Sequence, residues 1–141
     1  NERLVVSARY ETRRGTTKVH DTRLLSIKFD GEGGAFNLVE WERIKRRAGN
    51  PNHIPQFHDD VIDWLPDDPE HILIALDAEV LGLPSVYKIN VNDGGVSRII
   101  RGKKRIRDWM TDQQNFYTPP FRYNIFQRAV LFVLGGTTTT I

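Results

Sequence analysis

Tyr87-Lys88-Ile89-Asn90-Val91-Asn92-Asp93-Gly94-Gly95-Val96-Ser97-Arg98-Ile99-Ile100 reads as a β-hairpin. Tyr87, Ile89 and Val91 alternate with Lys88 and Asn90, the period-two pattern of a strand with one buried face. Asn92-Asp93-Gly94-Gly95 supplies residues that tolerate positive φ, the strongest hairpin signal in the chain. Val96 to Ile100 then returns along the first strand.

The same pattern recurs on either side. Leu25-x-Ile27-x-Phe29, followed by Asp30-Gly31-Glu32-Gly33-Gly34, lies 62 residues before Tyr87-x-Ile89-x-Val91 and its turn. Leu4 to Ala8 lies 68 residues before Ile72 to Leu76, and Asp63-Trp64-Leu65-x-Asp67 lies 45 residues before Asp108-Trp109-Met110-x-Asp112. Propeller blades repeat about every 40–50 residues. The spacing of 45 fits directly, and the larger two fit if Glu40 to His58 is an insertion. Phe36, Leu38 and Val39 supply a return strand before that insertion.

Read as four-stranded antiparallel blades, one blade runs Val61 to Trp64, His71 to Leu76, Ser85 to Val91 and Val96 to Arg101. Pro66-Asp67-Asp68-Pro69 makes a turn between its first two strands. The preceding blade is expected to lack its opening strand, and the following one to open at Ile106 to Met110. The expected fold is therefore all-β: a partial β-propeller of about one and a half to two blades over residues 1–113, with a loop insertion at 40–58. Within the insertion a short helical turn over Glu42 to Arg47 would stop at Gly49 and Pro51, and the stretch as a whole reads as a long exposed loop.

Residues 114–141 form an atypical tail. Asn115 to Ile141 contains no Asp or Glu and ends in four threonines before Ile141. Ile125 to Leu134 reads as a strand or a short helix, closed by Gly135-Gly136. The tail does not continue the blade pattern, and reads as a natural variant or as the product of a shifted or truncated reading frame.

Composition narrows the chemistry. The 141 residues carry 20 Lys and Arg against 18 Asp and Glu, so the net charge of +2 is not the field of a dedicated nucleic-acid binder. No cysteine is present, which excludes disulfides, thiolate metal sites and Cys nucleophiles. The longest apolar run, Ala129 to Leu134, is far below the roughly 18–20 residues of a membrane-spanning helix. Neither nucleic acid nor membrane is an expected partner, and the compartment stays open between cytoplasm and periplasm.

No complete catalytic constellation emerges. Of the four serines, Ser7, Ser26, Ser85 and Ser97, only Ser97 has a glycine two residues before it, and Ile99 stands where a nucleophile elbow needs the second. Ser97 reads as an ordinary strand serine. His53, His58, Asp59 and Asp60 form the one dense cluster of ligand types, but prolines flank His53 and the spacing matches no standard metal motif, so a polar loop rim is expected. Arg43 to Arg47 and Arg101 to Arg107 are basic. Without interleaved aromatics for base stacking, they read as solvated loops that pair with the acids between Asp59 and Glu70. Trp64 and Trp109 occupy matching repeat positions and read as blade core anchors. Asn92 to Gly95 is not a phosphate loop, because neither a helix nor a Lys follows in frame. No catalytic, cofactor-binding or metal residue is assigned.

The run Gln56 to Ile74, with its Asp63-Trp64-Leu65-Pro66-Asp67-Asp68-Pro69 centre, resembles the N-terminal propeller of bacterial prolyl oligopeptidase family serine peptidases. These include acylaminoacyl-peptidase-like and dipeptidyl-aminopeptidase-like enzymes. Pro84 to Val91 looks like the family's next strand, and Arg101-Gly102 with Ile106-Arg107-Asp108-Trp109 looks like the start of the following blade. The resemblance is specific from Gln56 to Asp112, loose before that and absent from the tail. It implies a propeller that gates peptide access to an α/β-hydrolase domain carrying the catalytic triad, so the implied partners are that domain and a peptide substrate. No triad residue maps onto this chain. A stand-alone binding propeller of the TolB type and a non-functional gene remnant are the competing readings.

Overall fold

The computed structural model describes residues 3–48, 53–111, 128–134 and 137–140. The first sheet holds β1 (Arg3–Arg14), β2 (Thr17–Lys28) and β3 (Ala35–Asn37), in that order and antiparallel. A helix α1 (Trp41–Ala48) follows. The second sheet holds β4 (Val61–Asp63), β5 (His71–Val80), β6 (Leu83–Asn90) and β7 (Val96–Ile100), again antiparallel in chain order. The third holds β8 (Asp108–Thr111), β9 (Arg128–Leu134) and β10 (Thr137–Thr140), with β9 in the middle. The chain is thus all-β with one short helix, and no sheet closes on itself among the described residues.

The second sheet is the centre of the molecule because both its faces are covered. Ile72 and Ile74 on β5 lie opposite Ile89 and Tyr87 on β6, and all four point toward the first sheet. They pack with Leu24 of β2, with Leu38 and Val39 beyond β3, and with Ile44 of α1. The intervening Leu73 and Ala75 point the other way, where they join Ile62, Val86 and Trp109 of β8. Two-sided burial explains why Ile72 to Leu76 is a continuous apolar run rather than an alternating one. The Ser26 hydroxyl, fully buried, donates to the Val91 carbonyl at 2.7 Å and so ties the first two sheets together.

The far end of β5 carries a buried carboxylate. The pairing of β5 with β6 shifts register between Leu76 and Val80, and Glu79 is buried within that irregularity. Arg98 Nη1 reaches it at 2.6 Å and Arg101 Nε at 2.8 Å. The Ser85 hydroxyl donates to it at 3.2 Å and in turn accepts the Gly102 amide at 2.8 Å. Burial, reinforced by the Glu79 carboxylate, pushes the Tyr87 phenol up to about 12. Gly102 has no room for a side chain, since a Cβ there would collide with the Leu83 carbonyl. Gly102→Ala is expected to destabilise the chain by about 1–3 kcal/mol, the cost of overpacking a rigid site. Chemical denaturation checks this, and an unchanged midpoint would refute the close approach.

Several expectations are corrected. Glu40 to His58 is not an exposed loop throughout: Trp41 to Ala48 is helical and Ile44 is fully buried. The helix forms because Trp41 and Ile44, three residues apart, share one face that meets the second sheet. The basic residues find other acids than those between Asp59 and Glu70. Arg43 pairs with Glu40 and also bonds the Asp93 carbonyl, while Arg101 pairs with Glu79. The third sheet is not an antiparallel blade, because β8 and β9 run parallel, Asp108 opposite Arg128. A long connection is what parallel pairing requires, and the residues supplying it, 112–127, lie outside the described residues. Trp64 is not a core anchor. It is 56% exposed, whereas Trp109 is 2% exposed.

Candidate binding groove

Four connections meet at one end of the sheets. The register places the β1–β2 tip, the link into β4, the β5–β6 tip and the link from β7 into β8 at this end. Val61, the first residue of β4, lies opposite Ile74, and Ile100, the last of β7, lies opposite Val86, so both links leave their strands on the side of the β5–β6 tip. Gln56 ties the link into β4 to strand β2. Its side-chain amide donates to the His20 carbonyl at 2.7 Å, and its own carbonyl accepts the Thr22 amide at 3.1 Å.

Between these connections lies a groove of about 430 Å³, within the roughly 300–1,000 Å³ range of ligand sites. Phe57 and Leu81, 56% and 74% exposed, present apolar side chains to it, and Leu76, Ala75 and Pro84 add apolar surface. Arg14 and Arg107 bring positive charge. Arg14 already faces Asp21 at 3.4 Å. Arg107 makes no ion pair with any described residue, and its guanidinium lies over Gly82, 3.2 Å from where a Cβ would stand. Gly82 has a φ of 72°, a conformation that glycine adopts without strain.

Of the two acids of the groove, one is held by the protein itself. Asp77 Oδ2 accepts the Gly82 amide at 2.9 Å and lies 3.5 Å from His53 Nε2, within ion-pair reach but not aligned as a hydrogen bond. Asp60 keeps solvent contact. Partial desolvation raises its carboxyl above the ordinary range, and the neighbouring Asp108 and Asp59 add to the effect.

The sequence cluster His53, His58, Asp59 and Asp60 is split apart. His53 and Asp60 line the groove. Asp59 points toward the first sheet, where it accepts the hydroxyls of Ser7 and Thr22, each at 2.5 Å. Burial opposes its ionisation, but those two donors hold its carboxyl below the usual range. His58 is buried, with Nε2 3.0 Å from the Pro55 carbonyl. No three His, Asp or Glu side chains among the described residues form a cation-holding group.

The serines take no part in the groove. Ser26 and Ser85 are buried and hydrogen-bonded, Ser7 is bound to Asp59, and Ser97 is exposed on β7 opposite Lys88. Sequence reasoning assigned no role to Phe57, Leu81 or Arg14, and it placed Arg107 only in a basic loop. Leu81 next to Gly82 was the one local signal, an exposed apolar residue beside a turn glycine. No family model matches this chain, and neither the curated proteins nor the solved structures contain a match to it.

Proposed function

We propose that the chain is a non-catalytic β-propeller segment that gates peptide access to the α/β-hydrolase domain of a serine peptidase. The supporting observation is the second sheet, four antiparallel strands in chain order with both faces covered by flanking sheets. Face-to-face stacking of such sheets is how blades protect their apolar faces. The repeat extends to the first sheet. Leu4 and Val6, 47% and 39% exposed, correspond to Ile72 and Ile74, whose side chains the second sheet buries against its neighbour. A further sheet stacked on that face would cover it in the same way. The peptidase half of the reading rests on the resemblance of Gln56 to Asp112.

Gating in this reading is steric. The connections around the groove narrow one end of the stack, and the acyl-transfer chemistry belongs to the neighbouring domain. A stand-alone binding propeller is the second reading, because the charged and apolar lining of the groove would hold a ligand without any neighbouring domain. Sequencing the coding region on both sides separates the two. The proposal expects further blade repeats and, downstream, a Gly-x-Ser-x-Gly elbow with its Asp and His partners. A complete propeller with no hydrolase domain would replace it with the binding-module reading, and a closed frame without further blades would overturn both.

A further inference from the structure

We infer that the groove between the β1–β2 and β5–β6 tips binds the C-terminal end of a peptide, with the carboxylate on Arg107 and an apolar last side chain between Phe57 and Leu81. The choice of a peptide rests on the gating proposal, whereas the choice of an amphipathic anion rests on the groove itself.

The charge balance selects the anion. Asp77 is occupied by the Gly82 amide and faces His53, Arg14 is shared with Asp21, and Asp60, the other acid of the lining, has the acids Asp108 and Asp59 as its charged neighbours rather than Arg107. Arg107 is the cation of the groove that no described acid satisfies. A carboxylate placed there forms the bidentate, charge-assisted contact that a guanidinium favours. Gly82 makes this geometry available, since any side chain on it would press on the guanidinium.

Apolar surface selects the rest of the ligand. Phe57 and Leu81 are the two most exposed large apolar side chains lining the groove, and they belong to different connections. Seating one apolar side chain between them would remove both from water, and burial of apolar area is the main source of affinity in such sites. The groove volume suits one or two residues rather than an extended chain.

The test uses three blocked dipeptides with the intact chain, followed by calorimetry and amide NMR. Acetyl-Leu-Phe with a free carboxylate is expected to bind at least about tenfold more tightly than its C-terminal amide, since a charge-assisted pair is lost. Shifts should centre on Phe57, Leu81 and Gly82. Leu-Phe-amide with a free amine should bind no better than the fully blocked peptide. Arg107→Gln should bring the acid down to the affinity of the amide without moving the thermal midpoint, as Arg107 is exposed. Equal affinity for acid and amide, tighter binding of the free amine, or shifts away from these three residues would each overturn the inference. The gating proposal is tested separately by the flanking sequence, so the two can fail independently.

Discussion

Trp109→Ala is expected to lower the stability of this chain by about 3–5 kcal/mol, the range for deleting a buried large aromatic. Trp64→Ala is expected to change it by less than about 0.5 kcal/mol, as for an exposed surface position. The two tryptophans share the sequence frame Asp-Trp-x-x-Asp, so the contrast is decided by structure alone. Trp109 sits in β8, packs on Ile62, Leu73, Ala75 and Val86, and donates its indole N–H to the Pro84 carbonyl at 2.7 Å. Its removal opens a cavity between the second and third sheets and leaves that carbonyl without its donor. Trp109→Phe should fall between the two, since it keeps much of the packing and loses the hydrogen bond. Urea midpoints at unchanged slope measure all three, and similar losses for Trp64→Ala and Trp109→Ala would refute the stacking of the third sheet on the second.

The reason the frames diverge is local. The pairing of β4 with β5 shifts register between Val61 and Asp63, and β4 ends at Asp63. Trp64 therefore lies past the strand, beside Leu65 with a φ of 47°. Its counterpart falls inside β8 and takes an inward position. A repeat in sequence fixes which residues correspond, but where a strand begins and ends decides which of them is covered: β4 stops at Asp63, whereas β8 begins at its counterpart Asp108 and runs on to Thr111.

The strands with alternating or continuous apolar runs were legible: His71 to Leu76, the hairpin at Asn92 to Gly95, and the order of the whole second sheet. The long β1–β2 hairpin was legible only at its two ends, as the strands Leu4 to Ala8 and Leu25 to Phe29, and not around its tip. Thr17 to Arg23 is nearly all polar: it pairs with β1, and its buried members Asp21 and Thr22 are held by polar contacts to Arg14 and Asp59 rather than by apolar packing. Helix α1 was legible as a short helical turn over Glu42 to Arg47, but not as an element with a buried face. It is eight residues long, rich in Arg and Lys, and shows its buried face only through Trp41 and Ile44. The groove was the least legible feature. Its walls come from four connections spread from Arg14 to Arg107, and nothing in a single connection signals that the others converge on it. Sequence proximity misled at His53 to Asp60, where adjacent side chains alternate between the groove, the first sheet and the core.

The stability of the chain is expected to fall by about 3 kcal/mol between pH 7 and pH 4 because of His58 alone, from a shift of about 2.5 units at roughly 1.4 kcal/mol each. Burial, reinforced by the nearby Arg23, holds this imidazole down to about 4 from an ordinary 6.5. The Pro55 carbonyl engages Nε2, which fits a neutral ring donating from that atom, while Nδ1 is buried with no hydrogen-bond partner among the described residues. A second proton would place a charged N–H at a buried atom that no described acceptor reaches. The unfolded chain takes up this proton below pH 6.5 and the folded chain only near pH 4, so the loss falls within that window and levels off beneath it. Asp59, whose carboxyl is held low, adds a loss in the same direction at lower pH, and Asp60, whose carboxyl is raised, opposes it. Asp68, held at about 2 by Lys88 and His71, titrates below the window. His58→Gln removes the titration and retains a donor toward Pro55, so its stability between pH 6.5 and 4 should be nearly flat. Denaturation midpoints across this range test it, with the His58 ring resonances expected to titrate near pH 4. An unchanged pH slope in His58→Gln, or a ring that titrates near 6.5, would show that the imidazole is not sealed between the first sheet and the link into β4.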